Sequence, residues 1–197
     1  MIWHTVAMLA FLPISRQTTD TVRVCLAPAR AQMVAGNTDG AIAAVRETFT
    51  AFLSGPSLAV APLNARLVSQ VREEAKLANC PYLLFTTLKL ERKEGRGLLA
   101  RVASGAVETG AWAVAGSSAS IATRVAAGAA VSAAVAAREV ASSVRTKDEL
   151  TVGYRLENAD GKVLVEKSEK RKASSDGEDL LTPLVERAAG SIAATMR

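Results

Sequence analysis

The chain has 197 residues, which is enough for one domain with a continuous core and too few for two large domains. Hydrophobic residues make up 49% of the chain and aromatic residues only 4%, so many small side chains must share the burial. The net charge of +5 is scattered along the chain, which indicates a mildly basic solvated surface and does not point to a nucleic-acid site.

The N-terminus contains a short apolar run, Val6 to Leu12. It has the length of the hydrophobic part of a secretory signal and is too short to span a bilayer as a helix. We therefore expect a signal peptide over residues 1–17 and export to the periplasm or the outer-membrane periphery. No Lys or Arg precedes the run and no A-x-A site follows it, so a misassigned start codon is the alternative.

The first half of the mature chain alternates strand and helix patterns. Residues 21–27 alternate and stop at Pro28, which predicts a strand. Asn37 to Asp39 offer N-caps for a helix that ends before Gly55-Pro56, and residues 58–61 form a second short strand. Asn64 is expected to cap a second helix, whose inner stripe is Leu67, Val68, Val71, Ala75 and Ala78.

The second half predicts a hairpin and a closing helix. A third strand covers residues 82–89, and residues 150–156 alternate cleanly before a tight turn at Asp160-Gly161 and a return strand over 163–170. Ser175 and Glu178 form a capping-box pair ahead of a last helix. Its apolar face comprises Leu181, Leu184, Val185, Ala188, Ile192 and Met196, and Pro183 is expected to kink this helix or reset its start.

These elements predict an α/β (α+β) fold with a mixed sheet of about five strands and helices packed on it. The order is strand, helix, strand, helix, strand, insertion, hairpin, helix, in one domain over residues 18–197. Alternating strands and helices favour a parallel part of the sheet, and the late hairpin adds an antiparallel part.

The two cysteines, Cys25 and Cys80, allow two interpretations. An even number of cysteines in an exported chain invites a disulfide. If the first and third strands are parallel neighbours that start level, however, the two residues are offset by roughly 10–15 Å. Because a disulfide needs Cα atoms within about 7 Å, we expect two buried free thiols.

Residues 98–145 form an insertion rich in Gly, Ala, Ser and Val. Small residues recur four apart in its sequence, which permits close approach between helices. One interpretation is a helical hairpin that self-associates or inserts into a membrane surface; the other is an Ala-rich helical pair that packs on its own domain, or a loosely ordered excursion. The candidate self-association face comprises Gly116, Ser120, Gly128, Ser132 and Ala136.

Catalytic patterns are missing from the sequence. His4 is the only histidine and lies in the expected signal, so neither a His-based triad nor a His-based zinc site is expected in the mature chain. The adjacent carboxylates at 73–74 point in different directions on a helix, and those at 178–179 lie at a helix start. The residues 95–100 fit G-x-G-x-x-A but lack the following strand of a dinucleotide site. We expect no enzymatic activity, no catalytic residue, no metal and no cofactor.

A basic run, Lys167, Lys170, Arg171 and Lys172, ends the hairpin. Aromatic residues that would stack on bases are not interleaved with it, so it does not predict nucleic-acid binding. Lysines on an exposed edge strand commonly prevent pairing between edges of two molecules, and we expect that role here.

The layout resembles a known group of envelope proteins. The segments "NCPYLLFTTLKLERK" and "KDELTVGYRLENADGKVLVEKSEKRKA", with the parallel start and the closing helix, look like the curli-secretion lipoprotein CsgG family and the related N-terminal domain of TolB. The resemblance covers residues 20–97 and 146–197. It implies a periplasmic or outer-membrane interaction module that is often oligomeric and has no enzymatic activity. Cys25 lies within a strand and the insertion lacks barrel-like alternation, so neither a lipid anchor nor a pore is expected.

The sequence therefore favours an exported, non-enzymatic interaction or scaffold module of the cell envelope. Its expected partner is a second copy of the chain or another envelope protein. The alternative is a membrane-inserting or outer-membrane-associated protein that uses the Gly/Ala-rich segment.

Overall fold

The computed structural model describes residues 21–92 and 127–196. Six strands are present in these two ranges: β1 (Val22–Leu26), β2 (Arg30–Met33), β3 (Leu58–Pro62), β4 (Tyr82–Glu91), β5 (Glu149–Asn158) and β6 (Val163–Lys172). Four helices accompany them: α1 (Thr38–Leu53), α2 (Val68–Leu77), α3 (Ala127–Ser143) and α4 (Leu181–Thr195).

All six strands belong to one mixed sheet, so the predicted fold class is confirmed. The strand order is β3-β1-β4-β5-β6, and β2 also pairs with β4. The pairs that involve β1, β2 and β3 are parallel, whereas β4–β5 and β5–β6 are antiparallel over ten and nine matched positions respectively. The residues 58–61 and 82–89 thus lie in the same sheet, with β1 between them.

The sixth strand, β2, is not predicted by the sequence pattern. β1 and β2 lie end to end along the same side of β4: Val24 to Leu26 pair with its start, and Arg30 to Met33 pair with its end. Pro28 interrupts the two because it has no N–H to donate to a ladder. The four residues of β2 are too few and too polar to show an alternating pattern.

One face of the sheet is covered by three helices and forms the main core. α1, α3 and α4 pack there over the apolar side of the strands, and the residues that β5 contributes to this core are the predicted ones: Leu150, Val152, Tyr154 and Leu156. The predicted inner face of the last helix is also buried at Leu181, Leu184, Val185, Ala188 and Ile192. Because these three helices occupy one face of the sheet, the opposite face takes no part in the main core.

Helix α3 is the described part of the Gly/Ala-rich insertion, and it packs closely on α1. Ala133, Ala137 and Val140 are buried in this contact. A Cβ at Gly40 of α1 would overlap the carboxylate of Glu139, so the missing side chain leaves room for that carboxylate between the two helices. Within the two described ranges, no helix is long and apolar enough to cross a membrane.

The helix caps agree with the sequence at one position and differ at two. Asn37 caps α1 as predicted, since its side chain accepts from the Asp39 N–H at 3.0 Å. The predicted cap Asn64 is wrong: α2 begins after Leu67, and the Asn64 N–H instead donates to Glu74. The predicted Ser175 cap is also misplaced, because α4 begins only at Leu181, with Pro183 in its first turn.

The predicted turn between the last two strands is confirmed. Gly161 has a φ of +81°, a conformation that glycine adopts without strain. Its N–H donates to the Asn158 carbonyl at 2.9 Å, and the Asn158 side chain accepts from the Lys162 N–H at 2.9 Å. These bonds fix the register in which β6 returns along β5.

Two hydroxyl groups in the main core have no hydrogen-bond partner among the described residues. They belong to Thr86 and Tyr154, which face each other across β4 and β5. Thr86 is 2% exposed, so its hydroxyl loses contact with water without a compensating bond. Such a group is unfavourable for folding.

We expect Thr86→Val to raise the free energy of unfolding by about 1 kcal/mol, because valine has the same shape and removes the unsatisfied hydroxyl. Urea unfolding monitored by circular dichroism measures the change. The matched control is Thr48→Val, since the equally buried Thr48 hydroxyl donates to the Ala44 carbonyl at 2.7 Å and its loss should bring no gain. Equal gains in the two variants would contradict this explanation.

Candidate interaction surface

The second face of the sheet is covered only in part by the described helices. α2 packs over its parallel half, where Val71 and Ala75 meet a small cluster with Ala27, Leu63 and Leu83. The antiparallel half on this side has no described helix above it, and its residues alternate between buried and half-exposed along β5. Among the described residues, no helix therefore covers the surface of β4, β5 and β6 on this side.

A disulfide joins Cys25 of β1 to Cys80 at the end of α2, so the expectation of two free thiols is wrong. The strands are parallel neighbours as assumed, and Cys25 is level with Leu83, three positions beyond Cys80. The error lies in treating Cys80 as an extension of the strand. Asn79 has a φ of +51° and the Cys80 N–H donates to the Ala75 carbonyl, so the chain turns back over the sheet and the two Cα atoms are 5.8 Å apart.

A buried carboxylate forms the second link between α2 and the sheet. Glu157 of β5 is 2% exposed, and its oxygens accept from Arg72 of α2 at 3.1 Å and from Arg155 at 2.9 Å. The Arg155 guanidinium also lies over the Phe85 ring, 5.1 Å from its centroid, in cation–π geometry. Together with the disulfide, these contacts hold α2 against a sheet face on which few apolar side chains are available.

A groove of about 730 Å³ runs between the end of α2 and the β5–β6 turn. Its lining combines cationic, acidic and amide groups, with the side chains of Arg72, Lys76, Asn79, Glu157 and Asp160 among them. The sequence could not reveal it, because its two walls come from segments about 80 residues apart in the chain. Arg72 and Glu157 pair with each other, and the mixture of cationic, acidic and amide groups defines no ligand class.

Strand β6 lies at the edge of the sheet, as expected for the basic run that it contains. It is ten residues long, its one strand partner among residues 21–92 and 127–196 is β5, and its side chains are exposed except at Val165 and Glu169, which are intermediate. Val163 and Leu164 at its start are 43% and 36% exposed. Within the part of the chain that the structure describes, the charged side chains of β6 and its apolar start are therefore accessible.

The end of β6 is held by ion pairs and by a hydrogen-bonded loop. Arg171 contacts Glu178 at 3.2 Å, and Glu169 contacts Arg187 of α4 at 3.3 Å. In the loop after β6, the hydrogen bond from the Ser174 hydroxyl keeps the pKa of Glu178 below its usual value. The Thr146 hydroxyl likewise lowers the pKa of Asp176, since it donates at 2.7 Å.

The candidate self-association face on the insertion is described only in part. Gly116 and Ser120 lie outside the described residues, and Gly128 and Ser132 lie on α3. Ala136 is half-buried and packs against the main core of its own domain. Self-association through this face stays a prediction.

The paired carboxylates singled out in the sequence bind backbone or loop groups. Glu74 accepts from the N–H groups of Asn64 and Ala65, and Asp179 accepts from the Thr182 N–H at 3.1 Å. No cluster of His, Cys, Asp and Glu suited to a metal ion occurs in residues 21–92 or 127–196. The G-x-G-x-x-A match at 95–100 and His4 lie outside these ranges, and the absence of enzymatic activity stays a prediction.

Comparison with known proteins gives similarity of fold alone. No family model matches the chain, and no curated protein matches it. Among solved structures, the PelC dodecamer from Paraburkholderia phytofirmans is 12% identical, with 86% of each chain covered and a TM-score of 0.44. The hypothetical protein CT253 from Chlamydia trachomatis is 10% identical, with 89% of this chain and 96% of that chain covered and a TM-score of 0.45.

TolB from Acinetobacter baumannii is also similar, at 8% identity and a TM-score of 0.42, over 89% of this chain and 28% of the TolB chain. The expected likeness to TolB is thus found at the level of architecture. The expected likeness to CsgG has no matching family model.

We expect reduction of the disulfide to lower the free energy of unfolding by about 4 kcal/mol, because Cys25 and Cys80 close a loop with a sequence separation of 55. Urea unfolding with and without reductant measures the loss. The control is the double variant Cys25→Ala and Cys80→Ala, whose stability should not respond to reductant. Two titratable thiols in the native oxidised protein would contradict the pairing.

We expect acid to weaken the loop after β6. The pKa values of Asp176 and Glu178 are lowered from 3.8 and 4.5, so their stabilising effect is present above these values and is lost as pH falls through the lower folded values. The double variant Asp176→Asn and Glu178→Gln should therefore lose less stability than the natural chain between about pH 5 and pH 2. Chemical unfolding across this range measures the slope. Glu73→Gln, which removes an exposed carboxylate of α2, is the control and should leave the slope unchanged.

Proposed function

We propose that this chain is an exported, non-enzymatic interaction module of the bacterial cell envelope that works by binding other proteins, a second copy of itself included. The observation that supports this most directly is the disulfide between Cys25 and Cys80. Structural disulfides persist in the periplasm and other oxidising compartments and are rare in the cytosol. The apolar run from Val6 to Leu12 provides the matching export signal.

The distribution of covered and open surface supports a binding role. α1, α3 and α4 use one face of the sheet for the core, and α2 covers only the parallel half of the other face. The open antiparallel half ends at β6, an exposed strand of ten residues. Strand edges bind proteins through backbone hydrogen bonds, and pockets for alternate side chains give this binding its specificity.

The proposal that the chain has no enzymatic activity is supported by its side-chain inventory. The whole sequence contains one histidine, in the export signal. The described carboxylates with low exposure, Glu157 and Asp148, are both engaged by arginines, Asp148 by Arg92 at 3.1 Å. Carboxylates held in this way stabilise the junctions between elements and are poorly placed for proton transfer.

Thiol trapping in a Gram-negative bacterial host tests the proposed location. The full chain should fractionate with the periplasm or the envelope, lose its N-terminal segment by mass spectrometry, and resist a PEG-maleimide until it is denatured and reduced. The matched control Leu9→Arg places a charge in the apolar run and should leave the protein in the cytosol with two reactive thiols. A full chain that stays in the cytosol with reactive cysteines would refute export.

A further inference from the structure

We infer that the exposed edge of β6 pairs with β6 of a second copy of this chain, antiparallel and centred on Ser168. This inference deepens the proposed function, on which it rests, by naming the partner and the surface. It follows from the order of charges along the strand, V-L-V-E-K-S-E-K-R-K over residues 163–172.

The backbone restricts which registers are possible. In an antiparallel ladder, alternate residues of β6 direct their N–H and C=O groups away from β5. Two copies related by a two-fold axis can therefore pair only in registers centred on a residue, in which that residue faces its own copy. Centres near the middle of the strand use the largest part of its edge.

Only one of these centres avoids placing like charges opposite each other. From Glu166 to Lys172 every residue except Ser168 is charged, so any other centre in this stretch places a charged side chain against its own copy. Parallel pairing in register places every charge against its own copy as well. Like charges directly opposite each other destabilise a sheet, so these registers are excluded.

The register centred on Ser168 is complementary throughout. Glu166 faces Lys170 of the second copy and Lys167 faces Glu169, and the symmetry repeats both contacts. Glu169 also contacts Arg187, but a carboxylate has two oxygens, and no salt bridge of the described residues involves Lys167 or Lys170. Four opposite-charge pairs therefore form along the new ladder.

The same register covers part of the apolar start of the strand. Val165 faces Arg171, and the regular pairing ends there because the ladder with β5 shifts register between Val165 and Val163. The aliphatic stems of Lys and Arg pack well on apolar side chains while their charged ends stay in water. The lysines of β6 therefore have a narrower role than expected from the sequence: they exclude wrong registers and permit this one.

Disulfide trapping tests the geometry on the purified oxidised full-length protein. In the inferred dimer the two Ser168 Cα atoms lie about 4.5–5.5 Å apart, within reach of a disulfide. Ser168→Cys should therefore cross-link on mild oxidation at least about tenfold faster than Lys172→Cys, whose two copies lie about 27 Å apart at strand rise. Mass spectrometry of the peptides identifies a bond between the two residues at 168, and equal rates in the two variants would overturn the inference.

Charge reversal tests the pairing code. Lys167→Glu with Lys170→Glu, and separately Glu166→Lys with Glu169→Lys, should each weaken self-association by at least about tenfold in sedimentation equilibrium. Mixing the two double variants should restore a heterodimer, because all four pairs are then of opposite charge. The chain with all four substitutions should again form a homodimer, which controls for damage to the fold.

Two results would overturn the inference: a natural chain that is monomeric over the whole measurable concentration range, or a mixture of the two double variants that fails to associate. Both measurements use purified protein, so neither depends on where the chain is located in the cell. Export without dimerisation would support the proposed location and refute the β6 pairing. Dimerisation of a chain that stays in the cytosol would support the β6 pairing and refute the proposed location.

Discussion

The ten residues of β4 connect all parts of this fold. One side of the strand accepts β1 at its start and β2 at its end, both parallel, and the other side pairs with β5 along its whole length. Its side chains at Leu84, Leu88 and Leu90 enter the main core, while Leu83 and Phe85 face the opposite side. Because both the parallel and the antiparallel ladders depend on this strand, its register sets the position of every other element in the sheet.

The two faces of the sheet are stabilised by different physical means. The main core buries aliphatic side chains between the sheet and three helices, so its stability arises chiefly from the hydrophobic effect. On the other face, α2 contributes only Val71 and Ala75 to the buried cluster. The disulfide and the Arg72–Glu157 ion pair attach α2 to the sheet on this face, in place of a broader apolar stripe on the helix. The position of α2 consequently depends on an oxidised Cys25–Cys80 pair, which links the fold to its chemical environment.

The sequence predicts the elements whose signals are local. The alternation from Leu150 to Leu156, the turn at Gly161 and the Asn37 cap each require only neighbours in the chain, and all three are found. The elements that it misses depend on distant partners. β2 exists because β4 offers it a ladder, and Cys80 reaches Cys25 because the turn at Asn79 redirects the chain over the sheet. Glu157 likewise occupies a position in a strand pattern that reads as exposed, and its buried carboxylate is compensated by Arg72 and Arg155.

The same distinction applies to the candidate surface. A parallel sheet is covered on both faces, so its strands read as nearly continuous apolar runs and give little information about binding. An antiparallel strand with one open face has polar residues at the positions that point to solvent, so its sequence shows which face is open. An edge strand has exposed residues on both faces, so its sequence shows the polar residues of both. The charges of β6 therefore carry information about which strand can pair with it. Few side chains of its own domain neutralise these charges. From Glu166 to Lys170, each charged residue has a residue of opposite charge at the same distance on the other side of Ser168. Lysines alone would be enough for a strand that only had to repel neighbouring strands. Charges of both signs in a fixed order repel a second strand in most alignments and attract it in one.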